Sequence, residues 1–474
     1  MSGVRIGPVL VVLVAGTVIV ASVLACGQMS GESPSAEVTP KPSVSQESDQ
    51  ELADRLLNSA VLLQESGDFH RSIEVLDRVL KLDPANAQAY YHRANAKSNL
   101  GNVEEAISDF GSALRHDPEM VDAYLRRGVL QSRLRRFEEA VEDFDQFVRR
   151  SEPNAIAYRA RGLAYYGLGE WDKAVDDFSR AIEVDPGLAV AYNDRALSLV
   201  NLGRHAEAIE DFGRAIELSP DVAVFYDNRG GTWQAMGNYV WAIEDYERAL
   251  LADPTYAPSY ENRGNAYRRL IEYELAIKDY GEAIRLAPWS PSAYFNRGVT
   301  YGLMNEWESA VRDYGLTIGR DPYYAEAYHN RGRALAILGD FDAAMEDLDK
   351  VIELQPHWAE PYNDRARARL NLGDPEGAID DLGTAIDLAP QFTAAYLNRG
   401  MAAYRIGDFE LAIADYTKVI DLKPDALEAY ENRSRAYVML GLDAEAGQDV
   451  AALAEMGLDV SDLEEELADL GSRR

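Results

Sequence analysis

Apolar and polar positions along residues 87–460 recur with a period of 34. Within one period the spacing is helical. From Tyr260, apolar and small residues return at Gly264, Ala266 and Tyr267, which share one face of a 3.6-residue helix. After a short polar break the spacing resumes at Leu275, Ala276, Ile277, Tyr280, Ala283 and Ile284. Each period therefore predicts two antiparallel helices. Glycines such as Gly101, Gly169, Gly237 and Gly407 fall between them, where a left-handed C-terminal cap fits. Prolines such as Pro118, Pro186, Pro254 and Pro390 stop the second helix.

With Ala87 as position 1, eleven units line up. Position 4 is tyrosine from Tyr90 to Tyr430, and position 7 is arginine from Arg93 to Arg433. Position 8 is small (Ala94, Gly128, Gly264), position 20 is alanine from Ala106 to Ala446, and position 23 is aspartate from Asp109 to Asp449. Position 24 is mostly aromatic, as in Phe110 and Tyr280. Small residues at 8 and 20 let two helices approach closely. An earlier, divergent unit at 53–86 keeps Ala60, Gly67, Phe69, Leu76 and Pro84. A strict period of this length marks stacked supersecondary units.

The pattern resembles the tetratricopeptide repeat (TPR) family: aromatic at 4, Gly or Ala at 8, Ala at 20, aromatic at 24, Ala at 27 and Pro at 32. The resemblance implies an all-α fold, a right-handed α-solenoid of about twelve helix-turn-helix units over 53–460. Residues 461–474 then read as a capping helix and tail. Ser461 can cap its start, and Leu463 and Leu467 can cover the last unit.

The units also act as an internal alignment. Position 7 is arginine and position 23 aspartate in the same eleven units, while the first unit has Ser59 and Val75. Both positions changed together, so a contact is expected: Arg93 with Asp109, Arg263 with Asp279, and so on. It joins either the two helices of a unit or neighbouring units. A part-buried guanidinium needs a carboxylate and can grip one with two bonds.

The resemblance places the first helices on a concave face, with positions 2, 5, 6, 9, 12 and 13 toward it. Position 6 is asparagine at Asn228, Asn262, Asn296, Asn330, Asn398 and Asn432. This looks like the asparagine ladder of O-linked GlcNAc transferase, which holds the backbone of an extended peptide. An amide offers both donor and acceptor. Alternatively, these amides bridge adjacent helices. Ile156, Leu163, Tyr166, Val190, Leu197, Val200 and Val224 would form an apolar stretch of the groove, or pack between units. Arg268, Arg269, Arg333, Arg367, Arg405 and Arg435 would make its later part basic and fit for acidic side chains or a carboxylate terminus. The carboxylate-clamp pattern of chaperone-cofactor TPR proteins wants lysine at position 5, which this chain lacks, so that function is not carried over.

Composition changes the picture in two places. The formal net charge is −33, which argues against nucleic acid as a partner. At the N-terminus, Arg5 precedes an apolar run over 9–25 that ends at Val23-Leu24-Ala25-Cys26. This resembles the lipobox of bacterial lipoproteins, which implies a signal peptide at 1–25 and lipidation of Cys26. An uncleaved membrane anchor is the alternative, since the run is long enough to span a bilayer. Residues 26–50 are rich in Ser, Pro and Glu and read as a disordered leash, about 25–30 Å long on average as a coil.

No histidine pair has metal-ligand spacing, no glycine-rich phosphate loop occurs, and no nucleophile stands beside a base. The sequence therefore points to a non-catalytic scaffold without cofactor or metal. It would hold a protein or extended peptide in its groove at the outer face of a bacterial membrane. The alternative is a self-assembling solenoid in an envelope complex.

Overall fold

The computed structural model describes residues 48–473. Cys26, the apolar run and most of the leash lie outside them. Among the described residues there are 25 helices and no strand. No helix among them is long and apolar enough to cross a membrane. The helices pair off into twelve helix-turn-helix units and are followed by a last helix, Ser461–Arg473. In the unit at 257–290 the two helices are Ala257–Arg269 and Tyr273–Leu286.

Within a unit the two helices pack against each other, and the second then packs on the first helix of the next unit. First helices of successive units also touch, whereas second helices make no comparable contact. A stack joined this way curves toward its first helices, so they line the inner face. This is an α-solenoid.

The small positions explain how closely the helices approach. Ala106, Ala276 and Ala378 at position 20 are fully buried, as are Phe144, Phe178 and Tyr280 at position 24. A Cβ added to Gly264 would fall 2.8 Å from the Tyr280 ring, closer than side chains tolerate. At position 15 the first helix ends in left-handed backbone, with Gly237 at φ 80° and Gly407 at φ 83°. Ile271 takes the same place at φ 67°. A β-branched residue there costs about 1–2 kcal/mol.

The arginines at position 7 and the aspartates at position 23 meet in all eleven units from Ala87 onward. In each, Nε donates to one carboxylate oxygen and Nη2 to the other, at 2.5–2.9 Å. The third nitrogen reaches backward. Nη1 of Arg93, Arg161 and Arg365 donates to Asp77, Asp145 and Asp349 of the preceding unit at 2.6 Å. Arg195 and Arg433 find hydroxyls there, on Ser179 and Thr417. Where that position is glycine, as at Gly111 and Gly315, an added Cβ would lie 3.3–3.4 Å from the guanidinium of Arg127 or Arg331. The tyrosine three residues earlier supplies its ring face in ten of the units, 5.4–6.0 Å from the guanidinium carbon. One arginine therefore clamps its own two helices and also touches the unit before it.

Two ends differ from the sequence reading. The first helix begins at Asp49, inside the stretch assigned to the leash, because Ser48 and Glu51 form a capping box. At the other end Ser461 is already helical, and Asp459 accepts from its backbone N–H at 3.1 Å and its hydroxyl at 2.7 Å. Leu467 and Leu463 pack on Val438 and Val450 of the last unit.

Arg263→Leu leaves Asp279, only 3% exposed, without its counter-charge. That change should cost about 3 kcal/mol locally, and Arg263→Leu/Asp279→Leu should recover part of the loss. Hydrogen exchange across 257–290 checks this. Equal protection in the single and double variants would contradict it.

Candidate functional site

Positions 5 and 6 of the first helices build the inner face. Position 6 of one unit lies against position 5 of the unit before. Asn228 Nδ2 donates to Asn193 Oδ1 at 2.9 Å, and Asn398 Nδ2 to Asn363 Oδ1 at 2.8 Å. Asn262 donates to both oxygens of Asp227 at 3.2 Å, and Asn296 to Glu261 at 3.0 Å. The same register joins Arg126 to the Tyr91 hydroxyl, Arg159 to Asp194, and His329 to Asp364. The amides are thus rungs between units, which was one of the two readings open from the sequence. One N–H of each amide is used in this way. Asn330 stands opposite Phe295 and has no such rung, and Asn432 instead accepts from Arg435 at 3.0 Å.

Two rungs carry carboxylates that sequence reasoning missed. Asp227 is 8% exposed and accepts from the Ser259 hydroxyl at 2.7 Å as well as from Asn262. Burial pushes its carboxyl above the ordinary aspartate value of 3.8, while the bonds from Ser259 and Asn262 hold it back. Glu261 repeats the arrangement one unit on, with Ser292 at 2.9 Å and Asn296, and burial raises it too. Among the described residues no cation pairs with either carboxylate. The signal was present in the sequence as acids at position 5, each followed 32 or 31 residues on by serine, but only the coordinates put them side by side.

The arginines fall into two groups. Arg435 is held by Glu466 of the last helix through two bonds of 2.9 Å, and Arg405 donates to the Leu370 carbonyl. Arg435 is thereby engaged on both sides of its fork, whereas Arg405 is exposed and uses one donor. Arg333 and Arg367 are exposed and share Asp364, at 3.6 and 3.8 Å, so two guanidinium groups stand over one carboxylate. Arg268 lies 3.4 Å from the Tyr280 hydroxyl, whose proton is pushed up to about 12 by burial, and its charge also reaches Tyr314 together with that of Arg333. Arg269 is exposed at the end of its helix. Arg268, Arg333 and Arg367 therefore make a basic stretch of the inner face beside two phenols.

The proposed apolar stretch is mostly packing. Val190 and Val224 lie against the cluster around Phe225, Leu197 and Val200 against Phe212, and the Tyr166 hydroxyl accepts from Asn201. Ile156 stays 53% exposed.

A tetratricopeptide repeat family matches residues 93–155, 130–189, 159–223, 193–258, 363–426 and 401–457, more than half of the chain. The chain belongs to the tetratricopeptide repeat family. Further matches of the same kind cover 53–86, 75–108, 272–305 and 325–357. TPR arrays are protein-interaction scaffolds, and that is the class of this one. Among solved structures, YrrB, described as a TPR protein with an unusual peptide-binding site, is 24% identical over 40% of this chain and 96% of its own, with a TM-score of 0.36. Yeast Tom70 is 17% identical over 89% of this chain and 99% of its own, with a TM-score of 0.37. Cut9–Hcn1 of the APC/C is 14% identical over 91% and 96%, with a TM-score of 0.40. No curated protein sequence matches the chain.

Asp227 yields a pH prediction. Its folded value is raised, so between the ordinary value and the raised one the native TPR array binds more protons than the unfolded chain. Stability therefore falls as pH rises through that window, and the cost of the charge is fully present above it. Asp227→Asn keeps an acceptor for Ser259 and Asn262 and removes the charge. It should raise the thermal midpoint at pH 7.5, with the gain shrinking as pH approaches 3.8. Circular dichroism melts at the two pH values decide it. A lower midpoint at pH 7.5 would mean that the ionised form is the one the fold prefers.

Proposed function

We propose that this chain is a non-catalytic TPR scaffold that holds an extended, acidic peptide segment along its inner face. The observation that carries the reading is the group formed by Arg268, Arg333 and Arg367 beside the Tyr280 and Tyr314 hydroxyls. Guanidinium groups grip carboxylates with two bonds each. On a chain of net charge −33, a local basic stretch selects its ligand against the field of the whole molecule. Each rung asparagine keeps its carbonyl oxygen and one N–H for the ligand backbone, at Asn262, Asn296 and Asn398 in particular.

The test is fluorescence anisotropy of a labelled glutamate-rich decapeptide with the full-length protein. Arg268→Ala/Arg333→Ala/Arg367→Ala should weaken binding at least about tenfold and flatten its salt dependence. Asn262→Ala/Asn296→Ala should weaken a glutamate-rich and a serine-rich peptide alike. Unchanged affinity in the arginine variant would end the groove reading.

The second half of the proposal concerns location. The array is tethered to the outer face of a bacterial membrane through a lipid on Cys26. The lipobox-like Val23-Leu24-Ala25-Cys26 supports this. Incorporation of a palmitate analogue in a bacterial host should occur in the wild type and vanish in Cys26→Ser. Labelling that persists in the variant would overturn the tether.

A further inference from the structure

The outer edge, where first and second helices join, carries a patch that the groove reading leaves unused. In the unit at 223–256 the second helix begins with Val240 and Trp241, which are 68% and 56% exposed. Most other units place an acid at the first of these positions, such as Glu104, Glu138 and Asp172, and two of them, with Glu104–Glu105 and Glu138–Glu139, at both. Trp241 packs edge-on against Trp233, with ring centres 4.5 Å apart, and the pair lines a shallow depression of about 270 Å³ together with the ion pairs Arg229–Asp245 and Arg248–Glu244. One unit on, Ile271 is 70% exposed and Leu275 43%.

Ile271 is the telling residue. It occupies a left-handed position that nine of the other units fill with glycine and two with Arg135 and Asn305, so it is the one β-branched residue there. It bears that strain while its side chain stands mostly in water, so nothing inside the fold compensates it. Strain kept without internal return marks positions held for an external contact.

The charges around the patch say what the contact is. At the edge of the earlier unit, Arg136 grips Glu104 of the unit before through two bonds of 2.5 and 3.0 Å. Of the later equivalents Arg204 is an arginine, but it pairs with Glu207 three residues on, and from Glu272 to Asp408 the position is acidic. By the same register Glu272 lies beside Val240, and Glu306 beside Glu274. All three glutamates are exposed, and no ion pair among the described residues engages them. Three exposed, unpaired acids thus rim the apolar patch, whereas the edge of the earlier unit pairs its glutamate internally.

We propose that this edge, over units 223–324, docks a basic amphipathic segment of a partner protein. A large apolar side chain of the partner would cover Trp241, Ile271 and Leu275. Its lysines or arginines would take the place held internally by Arg136. The surface is separate from the inner groove and has the opposite charge preference. The array could therefore hold an acidic and a basic partner at once.

The experiment uses the full-length protein and a labelled sixteen-residue amphipathic helix with Leu and Trp on one face and Lys and Arg on the other, read by fluorescence anisotropy. A peptide of the same apolar face with Glu for Lys and Arg is the control. The cationic peptide should bind and the acidic one should not. Trp241→Ala and Glu274→Lys/Glu306→Lys should each weaken binding at least about tenfold. Ile271→Gly is the decisive variant: it should raise the melting temperature, because the strain is removed, and still weaken binding. Arg268→Ala/Arg333→Ala/Arg367→Ala should leave this binding intact, so failure of the groove reading and failure of this one remain distinguishable. Ile271→Gly or Trp241→Ala binding as tightly as the wild type would overturn the proposal. So would equal binding of the acidic control. A concentration-dependent dimer in sedimentation velocity that Trp241→Ala abolishes would assign the patch to a second copy instead, and flotation with anionic vesicles lost in the same variant would assign it to a lipid surface.

Discussion

The rest of the array depends on the arginine at position 7. Its guanidinium is planar and offers donors in three directions, and the solenoid uses them. Two bonds close its own helix pair on the aspartate sixteen residues on. The third nitrogen faces the unit behind, either bonding an acceptor there or lying against a glycine. A lysine could not do this, since a single ammonium cannot grip one carboxylate through a planar fork and reach back at the same time. The pair is worth more as a gauge than as net stability, because desolvation offsets most of the attraction between buried charges. It sets helix spacing and unit spacing together, and so the curvature of the whole stack.

That gauge frees other positions to vary. Once the spacing between units is set by Arg–Asp clamps and by alanines at position 20, the inner face can carry different rungs in different units without changing the fold. Tyr91 with Arg126, Asn193 with Asn228, Asp227 with Asn262, and His329 with Asp364 are chemically unlike, yet they sit in one register. The buried carboxylates of Asp227 and Glu261 show what such freedom permits. Each is placed in a site that disfavours its charge, held by a serine and an asparagine rather than by a cation. A few residues away, two arginines share one aspartate. Acid without base and base in excess of acid therefore lie along the same surface, and this uneven field gives a regular scaffold its direction.

The outer edge varies for a different reason. Nothing packs over it, so substitutions there are limited only by solubility and by what binds. The repeat supplies its own reference: glycine in nine units where Ile271 stands, and an acid in eight where Val240 stands. Departures clustered in neighbouring units point to an occupied surface more firmly than any single exposed side chain.

Much of this was legible in the chain itself. The period of 34, the small residues at 8 and 20, and the glycine and proline stops determine the helix pairs and their stacking, because those signals are local and are repeated eleven times. Arginine and aspartate that appear and vanish together identify partners without coordinates. The sequence left open whether that contact lies within a unit or between units, and the tertiary structure answered that it does both, since one guanidinium has three faces. It also left open what the asparagines do. Their role depends on which residue stands opposite in the next unit, 35 positions away, and that neighbour is set by the stacking register. The same holds for the arginines. From the sequence, six looked equivalent, but Arg435 is taken by the last helix and Arg405 gives one donor to a carbonyl, while Arg268, Arg333 and Arg367 are brought together. Composition and spacing decide which helices form and how they repeat, whereas the register between units decides which charges end up paired and which are left to meet a partner.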